Sequence, residues 1–477
     1  MARDGRDERA GKVLTTGLVA ACLGYFMVIL DTTIVNVALP PIREDLDTDL
    51  TGLQWVVDSY LVVLATGILS GGALSDRYSA RAVFRVGVAL FTLASVACGL
   101  APTTGVLIGA RAAQGAAAAL CVPASLALVR SGYDDPVLRR KAVAMWGVIS
   151  GVAAAAGPVA GGLGVAAVSW RSVFFANLPI GLLVLFLTTR HVPRGQGVPR
   201  RFDGAGQLLA VLTLAALAVA LIEGAHSGLD PMVCAAAAVF AIGATTFAMV
   251  ERRVDEPMLP LGLFREPAFA SGAVIGVLIN FAFYGELFVI NLYFQDVRDA
   301  GALEAGLAVL PQLGAIVVGS TIAARRSGRA SGPQLTGLIG LWCCGTGTAA
   351  LLIADESIAY WWLVLPMAAA GLGMGMITPA VTAATTEAAP AHHGGVASGV
   401  INASRQTGSV IGIAVLGGLA GGGSDPVLGI RYAVGTAAIA FFAAVILAAL
   451  YLGRVALHPK PLMPMPREPL GVTRRPN

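Results

Sequence analysis

The sequence predicts an all-α membrane protein with 14 transmembrane helices, and three observations carry that prediction. First, apolar stretches of about 20 residues fill nearly all of the 477-residue chain. At ~1.5 Å of rise per residue each is long enough to cross a ~30 Å hydrocarbon core. Second, 56% of the residues are hydrophobic and only 13% charged, too little charge to cover a soluble surface of this size. Third, the cations alternate between faces. With the N-terminus in the cytoplasm, 26 of the 32 Lys and Arg fall in cytoplasmic segments, and only Arg43, Arg171, Arg298 and Arg431 in outer loops. That bias is the positive-inside rule, and an even number of spans requires the same placement of both termini. It also accounts for the net charge of +4 without an acidic partner such as nucleic acid.

The predicted spans are 13–39, 53–72, 82–101, 104–129, 142–166, 172–189, 204–222, 231–250, 268–292, 303–324, 334–353, 360–382, 396–420 and 431–452. No intervening segment is long enough for a soluble domain. The first apolar run is too long for a secretory signal and lacks a cleavage site, so the span is expected to be retained. Fourteen spans divide as six, two and six. The N-terminal half is then 13–190, two linker helices with their cytoplasmic loops are 191–266, and the C-terminal half is 267–453. Residues 1–12 are expected as a cytoplasmic N-terminus and 454–477, rich in Pro and Arg, as a cytoplasmic tail without fixed structure. A weak internal echo, Gly147-Val148-Ile149-Ser150 against Gly399-Val400-Ile401-Asn402, agrees with two related halves. The six cysteines all lie within spans without metal-ligand spacing and read as small buried hydrophobes. No metal or cofactor is expected.

Chemistry inside a bilayer is carried by the few ionisable groups that lie there. Asp31, Asp58, Arg111 and Glu286 each fall about 5–8 Å from a span midpoint toward the outer face, on the first, second, fourth and ninth spans. They are expected to form one layer facing a cavity. Arg111 cannot lose its proton, so it supplies positive charge to Asp31 or Asp58. Burial raises a carboxylate's pKa and a neighbouring Arg lowers it, so an acid that moves between the two surroundings takes up and releases protons. The other reading is that the acids are satisfied structural groups holding helices together. Gln114, Asn36, Asn402 and Arg405 are further polar groups within spans.

Several motifs stand in a fixed order: Leu30-Asp31-Thr32-Thr33-Ile34-Val35-Asn36-Val37-Ala38-Leu39-Pro40, Gly72-Ala73-Leu74-Ser75-Asp76-Arg77-Tyr78-Ser79-Ala80-Arg81, Arg111-Ala112-Ala113-Gln114-Gly115, Gly157-Pro158-Val159-Ala160-Gly161-Gly162, Trp170-Arg171 through Asn177-Leu178-Pro179, and Asn402-Ala403-Ser404-Arg405-Gln406-Thr407-Gly408. In this order they resemble the fourteen-span drug:proton antiporters of the major facilitator superfamily, over residues 13 to about 452. Trp55-Val56-Val57-Asp58-Ser59-Tyr60, Ala220 to Gly224 and Asn280-Phe281-Ala282 resemble one antibiotic-resistance exporter of that family in particular. The resemblance implies a major facilitator fold, a monomer in the bacterial inner membrane, and export of a hydrophobic, in some cases cationic, compound in exchange for protons. It implies a gate at Gly72, Asp76, Arg77 and Arg81 that locks the halves on the cytoplasmic side, although this chain has Ser79 and Ala80 where the family usually has Gly and Arg. It further implies that Gly157, Pro158, Gly161 and Gly162 form a smooth helix face where the halves meet. Export of an endogenous metabolite and nutrient uptake are the alternatives within the superfamily. A membrane-embedded enzyme is disfavoured because no HExxH, Walker loop or His cluster is present.

Overall fold

Apolar runs opened by short polar caps fold as helices from end to end of the chain. Asp49, Thr103, Asp230 and Asp425 each accept a hydrogen bond from a backbone N–H in the first turn of the helix that follows. Pro231, Pro267 and Pro426 stand at first helical positions, where a missing N–H costs nothing. The computed structural model describes residues 4–133, 135–193, 204–254, 257, 259, 261–326, 332–388, 394–421 and 425–452. The elements are α1 (Asp4–Asp45), α2 (Leu50–Tyr78), α3 (Ala80–Gly99), α4 (Thr104–Ser131), α5 (Pro136–Ala167), α6 (Ser172–Phe175), α7 (Asn177–His191), α8 (Gly204–Ser227), α9 (Pro231–Glu251), α10 (Pro267–Leu292), α11 (Ala302–Ala308), α12 (Leu310–Arg326), α13 (Gly332–Ala350), α14 (Trp361–Ala388), α15 (Gly394–Gly421) and α16 (Pro426–Leu447). The described residues contain no strand.

Among the described residues, 13 helical segments are long and apolar enough to cross a membrane. The remaining predicted span, 396–420, is the helix α15, which lies outside those thirteen. Two predictions need correction in detail. α1 runs unbroken from Asp4 through Pro40 and Pro41 to Asp45, with the first candidate span within it at Thr16–Asp45. The sixth and tenth spans are each broken near one end, into α6 and α7 and into α11 and α12. In the second case Pro311 lacks the N–H that would bond back to Leu307, so the helix restarts at Leu310. Cys234 is exposed and Cys343 half-buried, whereas the other four cysteines are buried as expected. Cys234 lies on α9, which packs mainly against α8 and leaves most of its surface facing outward. The predicted tail 454–477 and part of the predicted linker, 194–203, lie outside the described residues.

Packing divides the helices into two groups. α1 to α7 pack among themselves, as do α10 to α16. The groups meet along α2 with α15 and along α5 with α11 and α12. α8 packs against both α2 and α15, placing it at the seam. Its Gln207 bonds Ser70 near one end, and its Glu223 accepts from the Trp55 indole at 3.5 Å near the other.

Candidate functional site

Asp31 is completely buried on α1, and Arg111 on α4 is 1% exposed. They form an ion pair through Nη1 and Oδ2. The other carboxylate oxygen, Oδ1, accepts from the amides of Gln114 and Asn177, each at 2.8 Å. Gln114 is held at both ends: its Oε1 accepts from Arg111 Nη1 at 2.7 Å, and its Nε2 also donates to Ser95 Oγ at 2.8 Å. Arg111 Nε donates to the Val56 carbonyl at 3.1 Å, and the guanidinium lies 4.3 Å from the Tyr60 ring centroid. Five helices and a cation–π contact thus fix one charge pair in the interior. Sequence reasoning found Asp31, Arg111 and Gln114 but missed Ser95 and Asn177. Asn177 stood in a recognised motif without an assigned role, and Ser95 sits unmarked in an apolar span.

Asp58 does not join this cluster. Val56 and Tyr60 face α4, whereas Asp58 shares its side of α2 with Gln54, one turn earlier. The Gln54 amide donates to the carbonyls of Ile413 and Ala414 on α15 at 3.0 and 3.1 Å. Asp58 therefore points toward the seam between the groups of helices. It is completely buried, and neither carboxylate oxygen has a hydrogen-bond partner. Of the two predicted partners for Arg111, the structure brings Asp31 to it and turns Asp58 away.

Glu286 is also completely buried, but in a separate cluster. Its Oε1 accepts from Gln312 Nε2 at 3.0 Å and its Oε2 from the Thr348 hydroxyl at 2.6 Å. The expected layer of four ionisable groups is thus three sites: a compensated pair, a lone acid at the seam, and an acid bonded only by neutral groups. Nothing in the sequence pattern marked Gln312 or Thr348, because each is a lone polar residue in an apolar helix.

The remaining predicted residues have distinct surroundings. Asn36 is buried and donates to its own helix at Thr32, 3.3 Å away, which is a local structural bond. Asn402 is half-buried on α15. Arg405, also half-buried on α15, donates through Nε to Asn280 Oδ1 at 3.2 Å.

The expected gate loop is mostly helix. Gly72 through Tyr78 form the last turns of α2, and only Ser79 separates α2 from α3. Asp76 and Arg77 are exposed there, and Arg81 Nη2 donates to the Thr189 carbonyl at 2.7 Å. Ser79 adopts a φ of 88°, a region that favours glycine, and its side chain caps Ala82 N. The resembling family's usual Gly would fit this turn without strain, so the departure at Ser79 falls where backbone shape matters.

The glycine motif of α5 serves two partners rather than one. Gly157 and Gly161 lie against Thr33 and Ile34 of α1, in the same group of helices. Gly162 faces the other group, where an added Cβ would come within 2.6 Å of Leu303 Cα. The Pro158 carbonyl similarly leaves no room for a side chain at Gly306. Arg43 and Asp296 pair at 3.6 Å near the same cation-poor face, so the two groups are closely joined there.

Residues 21–413 match the Major Facilitator Superfamily. The chain is 39% identical to a methylenomycin A resistance protein of Streptomyces coelicolor over 86% of each chain. It is 33% identical to a protein of the same name from Bacillus subtilis, over 84% of this chain and 86% of that one. It is 40% identical to the multidrug resistance protein Stp of Mycobacterium tuberculosis, over 84% of this chain and 74% of that one.

Proposed function

The chain belongs to the Major Facilitator Superfamily, and from that membership we propose that it is a drug-efflux transporter that exchanges protons for a hydrophobic compound. Relatives named for methylenomycin resistance and multidrug resistance support efflux over uptake or catalysis. The fold is taken as fourteen spans in a six, two and six arrangement, with both termini on the cation-rich, cytoplasmic side of a bacterial inner membrane. The protein works as a monomer whose halves rock about the seam. Asp76, Arg77 and Arg81, with Gly72, gate the cytoplasmic end, while Gly162 and Pro158 help to seal the opposite one.

The observation that carries proton coupling is the pair of differently treated acids in the N-terminal half. Asp31 is neutralised by Arg111, while Asp58 is completely buried with no partner on either oxygen. An unpaired charge at that site is costly, so Asp58 is held without charge until the seam opens to water or a cation reaches it. Opening the seam exposes Asp58 to a different solvent, which ties its proton to a movement of the halves, while the Arg111–Asp31 pair holds α1 and α4 together beside it. The membrane potential contributes about 2.3 kcal/mol per charge per 100 mV to such a cycle.

The test begins with a susceptibility screen in a pump-deficient host to identify an exported compound. Proton release on addition of that compound is then followed in proteoliposomes under an imposed pH gradient. The Asp31→Asn, Asp58→Asn double variant is expected to fold and insert but to show no coupled release. Wild-type coupling from that variant would remove both acids from the mechanism.

A further inference from the structure

The charge a substrate meets between the halves is set by which ionisable groups keep an open surface. Asp31, Asp58 and Glu286 are all completely buried. Arg405, within the same bundle, is not, and it differs from Arg111 in having no acid. Unlike Arg43, Arg111 and Arg171, which pair with Asp296, Asp31 and Asp45, Arg405 has no carboxylate partner among the described residues. A closed ring of neutral bonds fixes its orientation. Nε donates to Asn280 Oδ1 at 3.2 Å, Asn280 Nδ2 donates to Ser409 Oγ at 3.1 Å, and Ser409 Oγ donates to the Arg405 carbonyl at 3.3 Å. Gly276 of α10 packs against the side-chain stem, with a built Cβ only 3.1 Å from Cγ. This arrangement uses Nε and leaves both terminal nitrogens without a protein partner among the described residues.

Two tyrosines, one from each group of helices, lie near Arg405. Tyr284 stands one turn beyond Asn280 on the α10 face that Arg405 packs against, and Tyr25 of α1 lies within electrostatic reach of the guanidinium. Tyr25 stacks on Trp146 of α5, with centroids 3.8 Å apart and planes 9° from parallel. Trp146 is itself anchored by its indole N–H to Ser125 Oγ at 3.1 Å. Tyr25, Trp146 and Tyr284 are each half-buried, as Arg405 is. An unpaired cation in a membrane interior is costly, and the terminal nitrogens of a guanidinium match the two oxygens of a carboxylate.

We propose that Arg405, with the Tyr25–Trp146 stack and Tyr284, forms the recognition site for an organic anion, an aromatic or otherwise apolar compound bearing a carboxylate. This rests on the efflux reading above and narrows its substrate class. It runs against the cationic cargo that the intramembrane acids suggested, because those acids present no surface to a ligand. The carboxylate pairs with the terminal nitrogens of Arg405, and the apolar body lies against the aromatic rings.

The test uses three compounds with one ring system: 2-naphthoate, 2-naphthamide and 2-naphthylmethylammonium. Binding to the full chain in nanodiscs is read by Trp fluorescence, and transport is read separately in proteoliposomes with a proton gradient. The wild-type protein is expected to bind naphthoate at least about tenfold more tightly than either analogue. Arg405→Gln should remove that preference by bringing naphthoate down to the affinity of naphthamide, and Arg405→Lys should keep part of it. Equal binding of the three by the wild type, or preference for the ammonium compound, would overturn the proposal whether or not the variants fold. An unchanged preference in folded Arg405→Gln would do the same. Tight naphthoate binding without proton-driven movement of any of the three would support the anion site and count instead against the efflux reading.

Discussion

Asp31 and Glu286 are both completely buried carboxylates inside long apolar helices, yet their neighbourhoods balance charge in opposite ways. Around Asp31 the structure supplies a guanidinium, two amides and a cation–π contact to the guanidinium itself. Around Glu286 it supplies one amide and one hydroxyl. One feature of the surrounding packing recurs. Gly115 of α4 closes on the Tyr60 carbonyl of α2, and Gly371 of α14 closes on the Gln312 carbonyl of α12. One helical turn before these glycines stand Arg111 and Met367, both buried; immediately before them stand Gln114 and Ala370. Where one bundle carries a cation and an amide, the other carries a thioether and a methyl. A similar close approach of two helices thus stands beside a charge-paired acid in one group and beside an acid bonded only by neutral groups in the other.

The largest expected effect comes from removing the cation. Arg111→Gln leaves a buried anion with only two amides, and should cost about 3–5 kcal/mol of stability along with efflux. Adding Asp31→Asn should return part of that loss, with a coupling energy of about 2–3 kcal/mol in denaturation of the detergent-solubilised protein. The matching cycle at Glu286→Gln and Gln312→Ala should couple by only about 1 kcal/mol, since it involves neutral donors. Equal coupling in the two cycles would mean that the charges are not what separates the sites.

Efflux should separate them next. Asp31→Asn is expected to abolish proton-driven transport in vesicles, whereas Glu286→Gln should lower it by less than about tenfold, because the Gln side chain keeps one acceptor and the first-half centre stays intact. A complete loss with Glu286→Gln would place the second acid in the coupling step as well. The smallest effect belongs to Thr348→Val, which removes one hydroxyl donor to Glu286 Oε2 and should cost about 1 kcal/mol of stability with efflux retained.

The helices were legible because a bilayer admits few ways to satisfy a backbone, so apolar length alone reveals a span. The same logic marked Asp31, Arg111, Gln114 and Glu286, since a polar group in an apolar run has few reasons to be there. It did not mark Ser95, Asn177, Gln312 or Thr348, whose hydroxyls and amides occur in apolar helices for many reasons. Sequence spacing placed the four ionisable groups at one depth, but depth carries no information about direction around each helix. Direction put Asp58 toward α15 rather than toward Arg111. The strained φ of Ser79 was legible only as a departure from a resembling motif; its cost appears once the turn between α2 and α3 is seen to be a single residue.

The amino-acid sequence by itself determined the all-α membrane class, the approximate spans and the residues able to hold charge within them. These follow from local quantities: apolar length and residue type. Only the tertiary structure decided which acid meets Arg111, that Glu286 is bonded by neutral groups of its own, that α8 lies at the seam, and that Arg405 is tied to Asn280 without an acid. Each depends on contacts between residues far apart in the chain, and those are set by how whole helices pack.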